Sequence, residues 1–252
     1  MNRKLVFFDI DGTLVSHAER SHIPEPTVEA VKRLKENGHV PAIATARNLA
    51  LTRKTANFFG IDLLVCCNGA YTAQGENAIF AKYIDGDFPR VFREEAFSFS
   101  ESAYALDIEN VYTDMCQDYF KAFIVGQAGF DCTKKLLAIE RFQLAYIFAP
   151  LPAGWRGREG ADMIETPRYT EFRPSGVSKW SGIVVAAAAA GFDLENVVTV
   201  GDGLNDMEMV RSASLGIAVG GAHAELKAAA DLVTEDIDEG GIFSAFRKLN
   251  MI

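Results

Sequence analysis

Two apolar runs, "LVFF" at 5–8 and "NVVTV" at 196–200, each lead into an aspartate inside a glycine-containing turn. No other feature constrains the fold of this 252-residue chain as strongly. A short apolar run stopped by a turn signal reads as a buried strand. Helical patterns separate these runs. Val28, Val31 and Leu34 recur along one face between Pro26 and Gly38, and a second helix is expected over 49–59. "VPAIAT" (40–45), "DLLVCC" (62–67) and "SLGIAV" (214–219) read as further strands, although Pro41 argues against a hydrogen-bonded start to the first of them. An Ala-rich helix is expected over 177–190, and another opens near Asp206. Strands alternating with helices predict an α/β fold, a Rossmann-like parallel sheet with helices on both faces. Right-handed crossovers then bring the C-terminal ends of the strands to one edge, where such sheets bind ligands.

Residues 80–173 have a different texture, rich in aromatics such as Tyr83, Phe88, Phe92, Phe97 and Tyr104. Strands are expected at 119–125 and 141–149, with a helix over 131–140 between them. So long a segment does not fit a loop within a compact domain. The expected organisation is a catalytic core of 1–79 and 174–252, interrupted by an inserted α+β domain at 80–173.

A formal net charge of −9 argues against nucleic acid and anionic membranes as partners, since both call for a basic surface. It leaves room for a small anion held by local cations. Cys66, Cys67, Cys116 and Cys132 show neither CxxC spacing nor a disulfide framework, so reduced thiols are expected. The apolar run after Arg3 and Lys4 is too short for a signal peptide. "IVVAAAAA" at 183–190 is too short for a membrane span. A cytoplasmic protein is the expectation.

Asp9 and Asp11 lie two apart at the end of the first strand, so on extended backbone their side chains emerge together. Two carboxylates that close repel by up to about 4 kcal/mol at a surface-like dielectric, which calls for a nearby positive charge or a proton. Read alone, the pair is also compatible with an acidic turn. In "ATARN" (44–48), Thr45 offers a hydroxyl and backbone N–H groups suited to a phosphate oxygen, or serves as a plain helix cap. Arg47 reads equally as a solvated helix-start residue. In "PSGVSKW" (174–180), Lys179 falls in a first helical turn, where it opposes the helix dipole; by itself it reads better as a solvated lysine. In "VTVGDGLNDMEM" (198–209), Asp202, Asn205 and Asp206 cluster about tight turns, an arrangement suited to a hard divalent cation such as Mg2+. A helix-capping role accounts for Asp206 but not for all three. Each of the four stretches sits at a strand's C-terminal end or on the following helix. Their convergence makes a coherent site for phosphoryl transfer through a carboxylate.

"DIDGTL", "TAR", "GVSK" and "GDGLNDMEM" occur in the order of the four motifs of the haloacid dehalogenase (HAD) superfamily, which the chain resembles across both core segments. "CNGA" at 67–70, the ending at 216–242 and the large insertion are similar to the Cof-type (class IIB) phosphatases. The resemblance implies that Asp9 is the nucleophile and that Asp11 moves protons. It implies Mg2+ held by the Asp9 carboxylate, the Asp11 backbone carbonyl and Asp202, with Gly12, Asn205 and Asp206 in support. Thr45, the Ala46 backbone N–H and Lys179 would hold the phosphoryl group, and the insertion would act as a cap supplying specificity. Ala46, Trp180 and Gly221 depart from the family's usual Gly, small residue and Asn, without removing a reacting group. The implied function is hydrolysis of a small phosphorylated metabolite. A phosphomutase of the same superfamily and a non-catalytic phosphometabolite-binding regulator are the alternatives. Among the inserted residues, Tyr112, Asp114, Glu171 and Arg173 have side chains suited to a substrate cleft.

Overall fold

All four residues of the opening run, Leu5–Phe8, are completely buried, and they form the central strand β1. The computed structural model describes residues 3–17, 22–100, 102–113, 128, 131–155, 160–166 and 169–252. After β1 come α1 (Glu25–Glu36), β2 (Val40–Ala44), α2 (Leu49–Phe59), β3 (Leu63–Cys66), β4 (Tyr71–Gln74) and β5 (Asn77–Ala81). The middle of the chain supplies α3 (Phe88–Phe99), β6 (Ala103–Leu106), β7 (Val111–Tyr112), β8 (Thr133–Lys134), β9 (Leu144–Ile147), β10 (Ala161–Glu165) and β11 (Thr170–Pro174). The last part runs α4 (Lys179–Ala189), β12 (Val197–Gly201), α5 (Met207–Ser212), β13 (Leu215–Ala218), α6 (Ala224–Ala229), β14 (Leu232–Val233) and α7 (Gly241–Lys248).

The strands form two sheets, one of order β14-β13-β12-β1-β2-β3-β4-β5 and one of order β10-β11-β9-β6-β7-β8. From β14 to β3 the large sheet is parallel, and the antiparallel hairpin β4–β5 extends it beyond the expected strands. The chain leaves β1 toward β2 on one side and later returns to β12 on the other. The strand order thus reverses beside β1, where a parallel sheet opens a crevice at its C-terminal edge.

Pro41 lies inside β2 despite the expectation against it. Val40 donates its N–H to Lys4 O on the β1 side, and β2 pairs with β3 only from Ile43 onward. The missing N–H at Pro41 therefore points where there is no ladder bond to lose. α2 begins at an Asn48 cap, whose Oδ1 accepts from Leu51 N at 3.0 Å. It ends at Gly60 in the left-handed conformation.

The smaller sheet has its own core, in which Phe88 and Phe92 of α3 meet Phe142, Trp155 and Phe172. The Phe88 and Phe172 ring centroids are 4.7 Å apart. The helix expected over 131–140 does not form. Asp131 Oδ1 accepts from Thr133 N and Thr133 Oγ1, a local side-chain turn that competes with helix, and β8 and a 3-10 turn at Leu136–Ala138 follow. The strand expected at 119–125 lies outside the described residues. Lys82 Nζ donates to Ser175 O at 2.8 Å, tying together the two chain crossings between the sheets. Among the described residues, no helix is long and apolar enough to cross a membrane. Cys66, Cys67 and Cys132 are free thiols.

At the opposite end of the sheet, buried His39 accepts from Lys4 N through Nδ1 at 3.0 Å. Burial and the nearby Lys4 charge hold its pKa below the ordinary 6.5. The folded protein keeps His39 neutral, so in the window below 6.5 the unfolded chain binds the extra proton. Stability is then complete above that pH and falls as pH drops through it. In urea titrations from pH 7.5 to 5.5 (the range bracketing that of free histidine, about 6.5), His39→Gln is expected to lose less stability than wild type.

Candidate active site

Three strand ends and one helix start build the site. Asp9 follows β1, where its N–H donates to Val200 O of β12 at 3.0 Å. Thr45 follows β2, and Asp202 follows β12. Lys179 is the first residue of α4, placed there by the Ser178 cap: Ser178 Oγ accepts from Ser181 N at 3.1 Å, and Ser178 N donates to Ser181 Oγ at 2.9 Å. The helix approaches the sheet closely because Gly69 and Gly182 lack side chains. A Cβ on Gly69 would overlap the backbone of Ser178, and one on Gly182 would overlap Val65.

Lys179 is only 1% exposed, so the reading of a solvated lysine is overturned by its packing. Its Nζ lies 2.9 Å from Asp9 Oδ1 and 2.6 Å from Asp206 Oδ1. Burial by itself would lower its pKa, but Asp206 and Asp9 outweigh that and raise it. Asp9 is also buried, and desolvation together with Asp206, Asp202 and Asp11 pushes its pKa up against the pull of Lys179.

Asp11 has its own cation. Arg47 Nε donates to Asp11 Oδ2 at 2.8 Å and a terminal nitrogen donates to Oδ1 at 2.5 Å, while a second terminal nitrogen reaches Leu51 O at 3.3 Å. Burial pushes Asp11 up, yet the charge and hydrogen bonds of Arg47 prevail and hold it below the usual carboxylate value. Arg47 is therefore a buried partner of the acid pair and not a solvated helix-start residue. The excess of acids at these strand ends was the sequence signal that could have found it.

The oxygens of Asp9, Asp202 and Asp206 lie within 4.8 Å of one another, a hard-oxygen set that fits a divalent cation. The three carboxylates are not equivalent. Asp206 Oδ2 accepts from the N–H groups of Asp202 and Gly203, both at 2.9 Å, and its other oxygen takes Lys179. Asp206 thus shapes the turn, whereas Asp202 has only lighter contacts, Thr13 Oγ1 and His17 Nε2, each at 3.2 Å. Gly12 adopts φ +82°, and a Cβ there would run into the Asp202 carboxylate. Thr45 Oγ1 accepts from Arg47 N at 3.2 Å, and Ala46 lies between them. Trp180 packs against the main hydrophobic core.

One residue stands out that sequence reasoning did not single out. Asn68 follows β3 and, like Cys67, has φ +50°. Its Nδ2 donates to both oxygens of Glu171, at 2.9 and 3.0 Å, and its Oδ1 accepts from Asn205 Nδ2 at 3.2 Å. It therefore joins the smaller sheet to the loop that carries Asp202. The motif "CNGA" was the available signal, but Glu171 lies 103 positions away. Burial raises the Glu171 pKa despite Arg173, Asn68 and Tyr146.

The family model for haloacid dehalogenase-like hydrolases matches residues 6–136 and 163–246. The chain belongs to that family, and its inserted α+β cap marks it as a phosphatase of the Cof type, class IIB. The YkrA protein of Bacillus subtilis is 29% identical over 100% of both chains. The phosphoglycolate phosphatase of Methanosarcina acetivorans is 27% identical over 93% of this chain and 91% of its own. Among solved structures, a HAD subclass IIB sugar phosphatase is similar with a TM-score of 0.83 and 27% identity, covering 99% of this chain and 100% of that one.

Removing the central cation leaves two carboxylates buried without compensation. Lys179→Met is expected to lower stability by about 3–5 kcal/mol, measured by urea unfolding in EDTA.

Proposed function

We propose that the protein hydrolyses small phosphomonoesters, with Mg2+, through an aspartyl-phosphate on Asp9. The observation that carries this reading is the separation of the two acids by their partners: Asp9 on Lys179, Asp11 on Arg47. Adjacent acids in distinct environments are suited to different tasks. Asp9 attacks phosphorus while the bond to the ester oxygen breaks, and Asp11 supplies the proton that the departing oxygen takes. Water then attacks the phosphoryl-enzyme, Asp11 takes its proton, and the Asp9 carboxylate is regenerated with release of phosphate. Arg47 holds Asp11 as a base, the form required in the second half. In the first half, the phosphoryl oxygens are an alternative partner for that guanidinium.

Thr45 Oγ1, the Ala46 N–H and Lys179 Nζ are assigned to the phosphoryl oxygens, where fixed donors are most effective. Asp9, the Asp11 carbonyl and Asp202 would hold the Mg2+, with Gly12, Asn205 and Asp206 in support. The bound ion neutralises phosphoryl charge. Residues 80–173 are assigned as the cap that excludes water and selects substrate. The relatives are named for phosphoglycolate and for sugar phosphates, so the reading here is the class of small phosphorylated metabolites. Free thiols at Cys66, Cys67 and Cys132 accord with a cytoplasmic setting.

Phosphate release across a panel of phosphorylated metabolites tests the reading. Activity is expected with Mg2+, abolished by EDTA and reduced more than about 10³-fold in Asp9→Asn. Isomerised sugar phosphate without free phosphate would instead identify a mutase. Undiminished turnover by Asp9→Asn would rule out the covalent intermediate.

A further inference from the structure

Glu171 and Arg173 lie two apart on β11, so they project from the same face of the smaller sheet. Across the ladder Glu171 pairs with Tyr146, which pairs in turn with Tyr104. This row faces the core. Glu171 reaches Asn68, and Tyr104 and Tyr146 pack in one cluster with Ala50, Cys67 and Ala70.

The two charged residues differ in what satisfies them. Glu171 has Asn68 on both oxygens, with Tyr146 beside it across the ladder. Arg173 has a single long contact, 4.0 Å from its terminal nitrogen to Glu171 Oε1, which is too far for a hydrogen bond. Among the described residues its buried Nε has no hydrogen-bond partner. Asp162, its neighbour across the ladder, is engaged elsewhere, accepting from Gly176 N at 2.7 Å. The Arg173 side chain is 17% exposed. A guanidinium presents five N–H donors in a rigid fork matched to carboxylate and phosphate. Among the described residues, no acceptor lies within hydrogen-bond distance of the buried Nε of this partly buried one.

Arg173 lines a cavity of about 790 Å³ that extends from β10 and β11 to Ser178, Gly203, Asn205 and His223. These are the residues beside Lys179 and Asp202; His223 N donates to Asp202 O at 2.8 Å. The cavity is of a size that takes a small organic ligand. Glu208 and Arg211, which also line it, are exposed to solvent on α5, and their charges offset one another. Glu165 stands on the neighbouring strand β10.

We propose that the substrate carries a second oxyanion, a carboxylate or a further phosphate, remote from the scissile phosphoryl group, and that Arg173 binds it. This rests on the phosphatase reading of the same site and narrows it to phosphorylated acids and bisphosphates, at the expense of neutral phosphopolyols.

Matched substrates test it: 3-phosphoglycerate against glycerol 3-phosphate, and fructose 1,6-bisphosphate against fructose 6-phosphate. Wild type is expected to favour the more anionic member of at least one pair by about 10- to 100-fold in kcat/KM. The pair that responds tells carboxylate from phosphate. In Arg173→Gln that ratio is expected to collapse toward one, mainly through KM, and Arg173→Lys to restore part of it. A purely structural arginine would instead lower both members alike, and that result overturns the proposal, as does a wild-type preference for the neutral esters. Calorimetric binding of 3-phosphonopropionate and propylphosphonate, with Mg2+, makes the test independent of turnover. Tighter binding of the carboxylate compound, lost in Arg173→Gln, supports the proposal even in a protein that releases no phosphate. Equal binding, with no preference for the bisphosphate, overturns it while leaving the phosphatase reading intact.

Discussion

The buried ammonium of Lys179 is the interaction on which the rest of the site depends. It touches Asp9 from β1 and Asp206 from the turn after β12, and so joins α4 to the two central strands. Taking three charges out of water is costly, and attraction offsets that cost only when the remaining oxygens are also satisfied. Here they are. Asp206 takes two backbone N–H groups in addition to the lysine, which fixes the turn carrying Asp202. The position of the Asp202 carboxylate is therefore set by a second carboxylate, Asp206, held by the cation that also faces Asp9. The glycines at 69 and 182 belong to the same construction, since they let α4 come close enough for Lys179 to reach both acids.

Attachment of the cap follows a different logic. Its own interior is aromatic and apolar, but much of its contact with the core is polar. Asn48 Nδ2 donates to Asp107 O at 2.8 Å and Asn110 O at 3.1 Å, and Arg53 pairs with Glu109 through two bonds of 2.6 and 2.8 Å. Beside Asn205, Asn68 holds Glu171. Beside these polar contacts a buried apolar cluster also spans the junction, with Ala50, Leu51, Cys67 and Val177 of the core against Leu106, Leu144 and Tyr146 of the cap. The left-handed backbone at Cys67 and Asn68 is a local strain in the turn that follows β3, and it aims the Asn68 amide between Glu171 and Asn205.

The parallel core was legible because its signals are local. Apolar runs of strand length, helix punctuation at Pro26 and Gly38, and acids at two strand ends can all be read without knowing what lies next to them. What escaped reading depends on distant partners. Lys179 alone resembled a surface lysine because the acids that bury it are 170 residues earlier and 27 later in the sequence. Arg47 was ambiguous for the same reason, since Asp11 is 36 positions away. The cap was less legible than the core. Its strands are short, and at 131–140 a side-chain turn at Asp131 prevailed over the helix expected between two strands.

The charge balance of the site explains how an acidic protein can receive an anion. Asp9, Asp11, Asp202 and Asp206 face Lys179 and Arg47, which leaves a formal balance of two negative charges at the strand ends. On the proposed reading, a divalent cation held by these acids would bring that balance to zero with Asp11 ionised, and to one positive charge with Asp11 protonated for the first half of the reaction. The net charge of −9 on the whole chain matters less, because charges beyond about 8 Å are largely screened at physiological ionic strength. Discrimination between phosphate esters must then come from charges close to the remainder of the molecule. Of the cap residues facing the core, Glu171 has both oxygens hydrogen-bonded by Asn68, whereas Arg173, 4.0 Å from Glu171, has no hydrogen-bond partner at Nε among the described residues. On the proposed reading, the unsatisfied donors of Arg173 would meet the remainder of the substrate, which would keep its selection separate from the groups assigned to the chemistry.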